Sequence, residues 1–295
     1  MKRRILDGEF LDRLDAAALC LKSTMTGFFG GGRKSRSHGN SVEFSDFREY
    51  FPGDDIRRID WNVYARTEKY FIRLFVDERQ MHNQILVDCS ASMACGKPEK
   101  AEAALRVAAA FGYLSVAAMD RVSYSMIKGN KAEGLGFKIA SKDAFYRAAQ
   151  IMENTEFEGE INMDKAIINM ESPGYDDGLT IIISDFLTES DWKKAIDFLL
   201  YRKREVLLIQ VLSPDELYPD LDGRIELNDS ENEAYNTRVI MTKKMVEAYQ
   251  KALDAYEKEI IDFCNSRGVT FFTVCSDDPI EKIIFGKGYE TEVIK

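Results

Sequence analysis

The chain has 295 residues, of which 45% are hydrophobic and 31% charged, and its formal net charge is −10. This composition allows one large α/β domain with a smaller appendage, and it provides enough apolar residues for a core. The acidic charge argues against nucleic acid as the main partner, because phosphate binding needs a cationic surface. With only two histidines, and five scattered cysteines that form no CxxC pair, a His-rich zinc site and a Ser-His-Asp triad are hard to build.

The N-terminal segment is basic and lacks the apolar stretch of a secretory signal. No uninterrupted apolar run reaches the roughly 18–20 residues that a membrane span needs. We therefore predict a cytoplasmic protein without direct membrane insertion. The basic residues at 2–4 and 33–36 leave a membrane-surface or nucleic-acid role open, although in a net-acidic chain such residues are more often a solvated tail.

The first predicted elements are a helix over residues 1–26 and a glycine-rich basic loop, which together make up a region of residues 1–40. The loop lacks the GxxxxGK[ST] order of a phosphate-binding loop. Residues 41–79 are expected to form a small β-rich or irregular element. It contains a turn at Pro52–Gly53 and an alternating strand at residues 70–76.

From residue 80 to residue 290 short apolar strands alternate with helices, which predicts a parallel sheet. The longest helix is expected to begin after Thr242 and to end at Gly268. We predict an α/β fold with a doubly wound, mostly parallel, Rossmann-like sheet of six strands and helices on both faces. The predicted strands include residues 84–88, 121–127, 178–186, 205–213 and 269–276, and residues 224–241 are expected to form a hairpin.

Two short polar motifs stand where predicted strands end. The first is D-x-S-x-S, formed by Asp88, Ser90 and Ser92, and the second is Ser184-Asp185. In open α/β sheets ligands bind at the carboxyl ends of the strands, and carboxylates and hydroxyls are hard oxygen ligands for Mg²⁺, Mn²⁺ or Ca²⁺. From the residues alone, a second interpretation stays open, in which each aspartate only caps a turn or a helix.

A third motif, of the form R-x-Y-x-P-G-D-D-x-R-x-I-D-W, precedes the alternating region and is followed by an Ala-Arg pair. Its arginines can make bidentate pairs with its aspartates, and its tryptophan supplies an apolar anchor. It is interpreted either as an internal salt-bridge scaffold or as a partner-binding surface. A catalytic acid pair is the weakest alternative, because nothing nearby has the character of a nucleophile. The residues concerned are Arg48, Tyr50, Pro52, Gly53, Asp54, Asp55, Arg57, Ile59, Asp60, Trp61 and Arg66.

This third motif resembles domain-of-unknown-function family 58, whose proteins carry it immediately before a von Willebrand factor A-like (vWA) domain. The stretch at 224–231 and the long helix after it also fit the family, so the resemblance covers about residues 25–290. The D-x-S-x-S motif is similar to the metal-ion-dependent adhesion site (MIDAS) of vWA domains. Asp185 matches the aspartate that such domains place after a later central strand.

At one position the sequence departs from the pattern of vWA domains. Between the two motifs, vWA domains normally supply a threonine in a G-x-T-x-x-x-x-A-L frame, and here the frame begins at Gly159 with Ile161 in place of that threonine. An isoleucine cannot bind a cation, and Asn162 is the candidate substitute through its amide oxygen. The expected metal ligands are therefore Asp88, Ser90, Ser92, Asp185 and Asn162, and Mg²⁺ or another divalent cation is expected to bind weakly or not at all to the isolated protein.

The resemblance implies a protein–protein interaction module and not an enzyme. Family members are commonly encoded beside MoxR-type AAA+ ATPases, so this chain is expected to act as an adaptor or co-chaperone between such an ATPase and a client protein. The alternative is a metal-dependent hydrolase that uses Asp88 and Asp185. Haloacid dehalogenases have D-x-D at the first strand, and Ser90 stands where the second aspartate would be, which argues against this alternative.

Overall fold

The chain divides into two units, one made of Met1–Phe29 with Met81–Lys295 and the other of Gly30–Gln80. The computed structural model describes residues 5–24, 43–76, 81–136, 138–170, 178–220, 223–228 and 236–287. The glycine-rich loop expected between residues 27 and 40 lies outside the described residues. So does the tip of the hairpin predicted at 224–241.

The elements begin with α1 (Gly8–Thr24), which belongs to the larger unit, and continue with the smaller unit. There, strands β1 (Glu43–Glu49) and β2 (Phe71–Val76) pair antiparallel, and α2 (Trp61–Thr67) lies between them in sequence. The expectation of a small β-rich element before the main sheet is confirmed.

The remaining elements belong to the larger unit. They are β3 (His82–Asp88), α3 (Lys100–Ala117), β4 (Arg121–Lys128), β5 (Lys131–Gly134), α4 (Lys142–Met152), α5 (Met163–Ile168), β6 (Leu179–Ser184), α6 (Trp192–Tyr201), β7 (Glu205–Leu212), α7 (Pro214–Leu217), β8 (Gly223–Asn228), β9 (Asn236–Met241), α8 (Lys243–Arg267) and β10 (Thr270–Cys275). Strands β8 and β9 pair antiparallel as a separate hairpin, as the sequence predicted.

Six strands of the larger unit form one sheet in the order β10-β7-β6-β3-β4-β5. All neighbours run parallel except β4 and β5, which pair antiparallel. The prediction of a six-stranded, mostly parallel, doubly wound sheet is confirmed. Because β3 and β6 are adjacent while the chain leaves them toward opposite edges, their carboxyl ends form the switch point at which open α/β sheets bind ligands.

Alternate side chains of the central strands fill two cores, one on each face of the sheet. In β6, Ile181 and Ile183 join the core built with α1, α3 and α4. Ile182 points to the other face and joins the core built with α5, α6 and α8. Since successive residues of a strand face opposite sides, a strand buried on both faces has to be apolar throughout, as the sequence of β6 is.

Helix α8 shows the local signals that set its ends. The side chain of Thr242 accepts a hydrogen bond from the backbone N–H of Met245, and Gly268 ends the helix in the left-handed conformation, with φ +67°. Both boundaries were predicted from these two residues, since a hydroxyl satisfies a free N–H at the start and glycine tolerates the positive φ at the end. Among the residues that the structure describes, none of the helices combines the length and apolar composition that crossing a membrane requires.

Candidate functional site

Asp88 ends β3 at the centre of the carboxyl edge and is buried, with 1% of its surface exposed. One carboxylate oxygen accepts the backbone N–H of Ser90 at 2.8 Å. The other accepts the hydroxyl of Ser184, the last residue of β6, at 2.5 Å. The two strand ends that the sequence singled out are therefore joined directly, through Ser184 and Asp88.

The D-x-S-x-S loop is held in place by the frame around Gly159. The backbone N–H of Ala91 donates to the carbonyl of Gly159 at 2.9 Å, and the N–H of Glu158 donates to the carbonyl of Cys89 at 2.9 Å. Within the loop, the hydroxyls of Ser90 and Ser92 lie 3.0 Å apart and share a hydrogen bond. The loop is thus fixed by backbone contacts, and its two hydroxyls are paired with each other.

Asp185 follows β6 and contacts a residue that the sequence did not indicate. Its Oδ2 accepts a hydrogen bond from the Nζ of Lys100 at 2.8 Å, and its Oδ1 accepts the backbone N–H of Leu187 at 3.0 Å. Lys100 is the first residue of α3, and only 1% of its side chain is exposed. Asp185 therefore forms a buried ion pair at the carboxyl edge of the sheet.

A third carboxylate completes this cluster from the next strand. Glu216 in α7, just beyond β7, accepts a second hydrogen bond from the Nζ of Lys100 at 2.6 Å. Its other oxygen accepts the backbone N–H of Ser213 at 2.7 Å, and Ser213 in turn caps the short helix. Lys100 therefore links the ends of β6 and β7 by bridging two carboxylates.

The electrostatics of the cluster follow from burial and charge. Burial, together with the negative charge of Asp185, raises the pKa of Asp88 to about 6, although hydrogen bonds from Ser184 and Ser90 act in the opposite direction. Burial alone would lower the pKa of Lys100, but the charges of Asp185 and Glu216 outweigh that effect, so it is raised. Lys100 is therefore held in its charged form.

The frame that begins at Gly159 differs from the donor set that the resemblance implies. Ile161 is buried in the core shared with α5 and α6, in the position where the family pattern has threonine. The amide oxygen of Asn162 accepts the backbone N–H of Lys165 at 3.2 Å and so caps α5. In the part of the chain that the structure describes, no group of three or more His, Cys, Asp or Glu side chains is arranged to hold a metal ion. The expected ligand set thus lacks the threonine hydroxyl of the family pattern, and its proposed substitute Asn162 serves as a helix cap.

Exposed apolar side chains occur close in sequence to this buried cluster and on α8. Leu187 lies two residues after Asp185, and Tyr218 two residues after Glu216, and both are exposed. Helix α8 adds Met245 and, one turn later, Tyr249. Burial and the charge of Glu216 raise the pKa of Tyr249, since its hydroxyl lies near that carboxylate. These four residues, Leu187, Tyr218, Met245 and Tyr249, are called the apolar rim below.

The third motif forms a tight turn in the smaller unit. The N–H of Asp54 donates to the carbonyl of Phe51 at 3.0 Å, and Gly53 between them has φ +110°. Such a turn needs glycine at this position, because a side chain would be strained there. Arg48 closes the turn through an ion pair with Asp54 at 2.8 Å. Tyr50 packs edge-on against Tyr70, which immediately precedes β2.

Among its described residues, the structure does not contain the other ion pairs that were expected between arginines and aspartates of the motif. Asp60 pairs with Arg73 at 2.7 Å and caps α2 by accepting the N–H groups of Asn62 and Val63. Asp55 caps a short 3₁₀ turn by accepting the N–H of Arg57. The side chains of Arg57 and Arg66 are exposed and form no ion pair with any described residue. Arg73, the partner of Asp60, lies on β2 and outside the motif. The pattern of residues within the motif therefore did not predict this ion pair.

Trp61, the expected apolar anchor, is 61% exposed, so it does not anchor an internal scaffold. It lies edge-on to Tyr64, which stacks on Tyr70 at a ring distance of 4.6 Å. Phe51 and Ile56 are also more than half exposed. The motif thus combines an internal scaffold, centred on Asp54 and Asp60, with an aromatic surface.

We expect Asp60→Ala to lower the denaturation midpoint of the smaller unit, because the change removes both the helix cap and the partner of Arg73. Arg57→Ala is the matched control and should leave the midpoint unchanged, since that side chain is exposed. Chemical denaturation followed by tyrosine and tryptophan fluorescence measures both. Equal effects of the two substitutions would contradict the assignment of Asp60 as the scaffold residue.

Solved structures resemble the chain at low sequence identity. The conserved hypothetical protein BatB from Bacteroides thetaiotaomicron has a TM-score of 0.42 at 14% identity, over 72% of this chain and 98% of that chain. The VWA domain of SpRpn10 has a TM-score of 0.38 at 10% identity, over 70% of this chain and 94% of that chain.

Sequence comparison gives the family. Uncharacterized proteins of Mycobacterium tuberculosis and Mycobacterium bovis are 29% identical over 238 residues, which is 77% of this chain and 74% of each relative. The profile of the family described as protein of unknown function DUF58 matches residues 46–259, a span that includes the third motif, both strand-end motifs and most of α8. The chain therefore belongs to the DUF58 family.

Proposed function

We propose that this protein is an interaction module that receives a partner protein at the carboxyl edge of its sheet. The observation that carries the proposal is the contrast between the exposed apolar rim and the buried cluster at the strand ends. Leu187, Tyr218, Met245 and Tyr249 are exposed, whereas Asp88, Lys100 and Asp185 are buried. Exposed aromatic and apolar side chains around a rigid centre are typical of the residues that dominate binding energy in protein interfaces.

The buried state of the carboxylates disfavours the alternative of a metal-dependent hydrolase. A catalytic aspartate has to reach a substrate atom, but both oxygens of Asp88 and both oxygens of Asp185 already accept hydrogen bonds from the protein. Each of the two residues is only 1% exposed. We therefore propose a role without turnover, in which the cluster keeps the edge rigid.

We further propose that the partner is a MoxR-type AAA+ ATPase and that the protein acts as an adaptor or co-chaperone between this ATPase and a client. This part of the proposal rests on the family resemblance, in which such ATPases are commonly encoded beside the family members. The exposed apolar side chains of Phe51, Ile56 and Trp61 in the smaller unit are available for a second contact. An adaptor needs two such surfaces, one for the ATPase and one for the client.

Replacing Tyr218 by serine is expected to weaken capture of the ATPase at least tenfold, because loss of a central aromatic contact in an interface typically costs about 2 kcal/mol or more. Co-purification with the MoxR-type ATPase of the same genome, followed by biolayer interferometry in each nucleotide state, measures the effect.

Tyr201→Ser is the matched control. Tyr201 is also a highly exposed tyrosine, at 84% against 75% for Tyr218, but it ends α6 at the opposite edge of the sheet. Its replacement should leave capture unchanged. Equal losses in both variants would contradict the assignment of the carboxyl edge, and failure of the unchanged protein to bind the ATPase in any nucleotide state would contradict the partner. Release of phosphate from a generic substrate with added Mg²⁺, lost in Asp88→Asn, would favour the hydrolase instead.

A further inference from the structure

Lys100 is the most unusual residue of the cluster, because its whole side chain is buried. Its Nζ contacts Asp185 at 2.8 Å and Glu216 at 2.6 Å, residues that lie 85 and 116 positions away in the chain. An ammonium group loses strongly favourable hydration when it is buried, so such a lysine is retained only where carboxylates compensate its charge. Here, two carboxylates from neighbouring strand ends do so.

The loop before α3 follows a path that places Lys100 next to these two carboxylates. The loop before α3 passes so close to Ser213 that a Cβ atom on Gly96 would lie 2.7 Å from the Cβ of Ser213, and Gly96 has φ +93°. The backbone N–H of Lys100 donates to the carbonyl of Cys95 at 3.1 Å. The start of α3 is thereby held against the end of β7, the strand that leads to Glu216.

We propose that the ammonium group of Lys100 takes the place of the divalent cation at this strand-end site, so that the site is complete without a metal ion. Lys100 does here what a cation does in a metal site at the same edge. It neutralises the acidic residue after the second central strand, Asp185, and binds a further carboxylate, Glu216.

The hydrogen bonds at the site support the replacement, because every carboxylate oxygen of the cluster already has a partner within the protein. Mg²⁺ requires near-octahedral coordination by oxygen, with several positions kept by water. Every carboxylate oxygen of Asp88, Asp185 and Glu216 accepts a hydrogen bond from the protein. The hydroxyls of Ser90 and Ser92 bond to each other. A cation at Asp185 would have to compete with the ammonium group of Lys100, which already neutralises that carboxylate.

This inference deepens the proposed function and rests on it in one respect, the prediction that partner binding needs no metal. In a metal site of this kind, the partner completes the coordination sphere, so chelation abolishes binding. With an internal ammonium group the charge of the edge is permanent. Capture of the partner should therefore be the same in EDTA and in millimolar Mg²⁺.

The first test is calorimetric titration of the intact protein with Mg²⁺ and Mn²⁺, together with its thermal midpoint in EDTA and in each metal. We expect no binding heat and an unchanged midpoint. Submillimolar binding that is lost in Asp88→Asn would overturn the proposal.

The second test removes the ammonium group. Lys100→Met should lower the thermal midpoint markedly, since it leaves Asp185 and Glu216 buried without a counter-charge, and Mn²⁺ should then restore part of the loss. The matched control is Lys100→Met with Asp185→Asn and Glu216→Gln, which should be more stable than Lys100→Met alone and should not respond to Mn²⁺. A midpoint of Lys100→Met that is unchanged, or that does not respond to Mn²⁺, would overturn the equivalence of ammonium group and cation.

If Lys100→Met does not fold, the triple variant and the titration of the unchanged protein still decide the question. The capture experiment separates the two proposals. Capture of the ATPase that requires Mg²⁺ and is abolished by EDTA would overturn the role of Lys100 while leaving the proposed function intact. Absence of capture in both conditions would contradict the proposed partner. The proposed role of Lys100 would then be tested by the calorimetric titration alone.

Discussion

Replacing Phe186 by alanine is expected to lower the free energy of unfolding by about 3–5 kcal/mol, the usual cost of deleting a fully buried phenylalanine ring. Phe186 is completely buried directly after Asp185, and its ring packs edge-on against Trp192 at 6.0 Å. Its backbone N–H donates to the Ser184 hydroxyl, and its carbonyl accepts the hydroxyl of Tyr256 at 2.6 Å. The residue therefore ties the strand-end loop to α6 and α8. Urea denaturation of the two proteins measures the loss.

The backbone conformation of Phe186 provides a sharper form of this test. With φ +55° it lies in the left-handed region, which costs non-glycine residues roughly 1–2 kcal/mol. We therefore expect Phe186→Gly to be more stable than Phe186→Ala, which reverses the usual order of these residues. Leu187→Ala, at the exposed next position, is the control and should change stability by less than about 0.5 kcal/mol. A glycine variant less stable than the alanine variant would contradict the conformation assigned to this loop.

The elements that the sequence predicted well are those whose signals are local. Thr242 and Gly268 set the ends of α8 through bonds to residues within four positions, and the apolar run of β6 reflects burial on both faces. Strand β5, by contrast, was not singled out. Its residues, Lys131–Gly134, are polar and mostly exposed at the sheet edge, and only antiparallel pairing with β4 makes them a strand. Such pairing is a tertiary contact, so no local pattern reveals it.

The candidate site was predictable only in part for the same reason. Asp88 and Asp185 could be placed at one edge because parallel strands carry their ends to the same side. Lys100 could not be placed at this edge from the sequence, because the partners of its ammonium group come from two later strand ends. The one available signal was a lysine at the start of an otherwise alanine-rich, buried helix. A charged residue at such a position is more often exposed, and for that reason the sequence alone does not favour a buried lysine.

The contact between α3 and β4 depends on Gly112, and Gly112→Ala is expected to destabilise the protein although alanine is the better helix former. A Cβ atom at this position would lie 1.7 Å from the hydroxyl oxygen of Tyr124 on β4. Tyr124 is itself 1% exposed, so it has no free space into which to move. Overpacking of this kind costs about 1–3 kcal/mol, against a gain of about 1 kcal/mol in helix propensity. We therefore expect a net loss of up to about 2 kcal/mol in the free energy of unfolding, measured by urea denaturation.

Removing the clashing oxygen should rescue the variant. Tyr124→Phe deletes the hydroxyl, whose hydrogen bond to the carbonyl of Ala108 is long, at 3.3 Å, so the single change should have a small effect. In the Gly112→Ala background the same change should recover part of the lost stability, because it removes the atom nearest to the new methyl group while the ring carbon Cζ stays 2.7 Å from it. The double-mutant cycle should then show a coupling of about 1 kcal/mol or more between the two positions. Additive effects would mean that the helix moves away from the strand to accommodate the methyl group, and the close approach of α3 to β4 would then not depend on glycine.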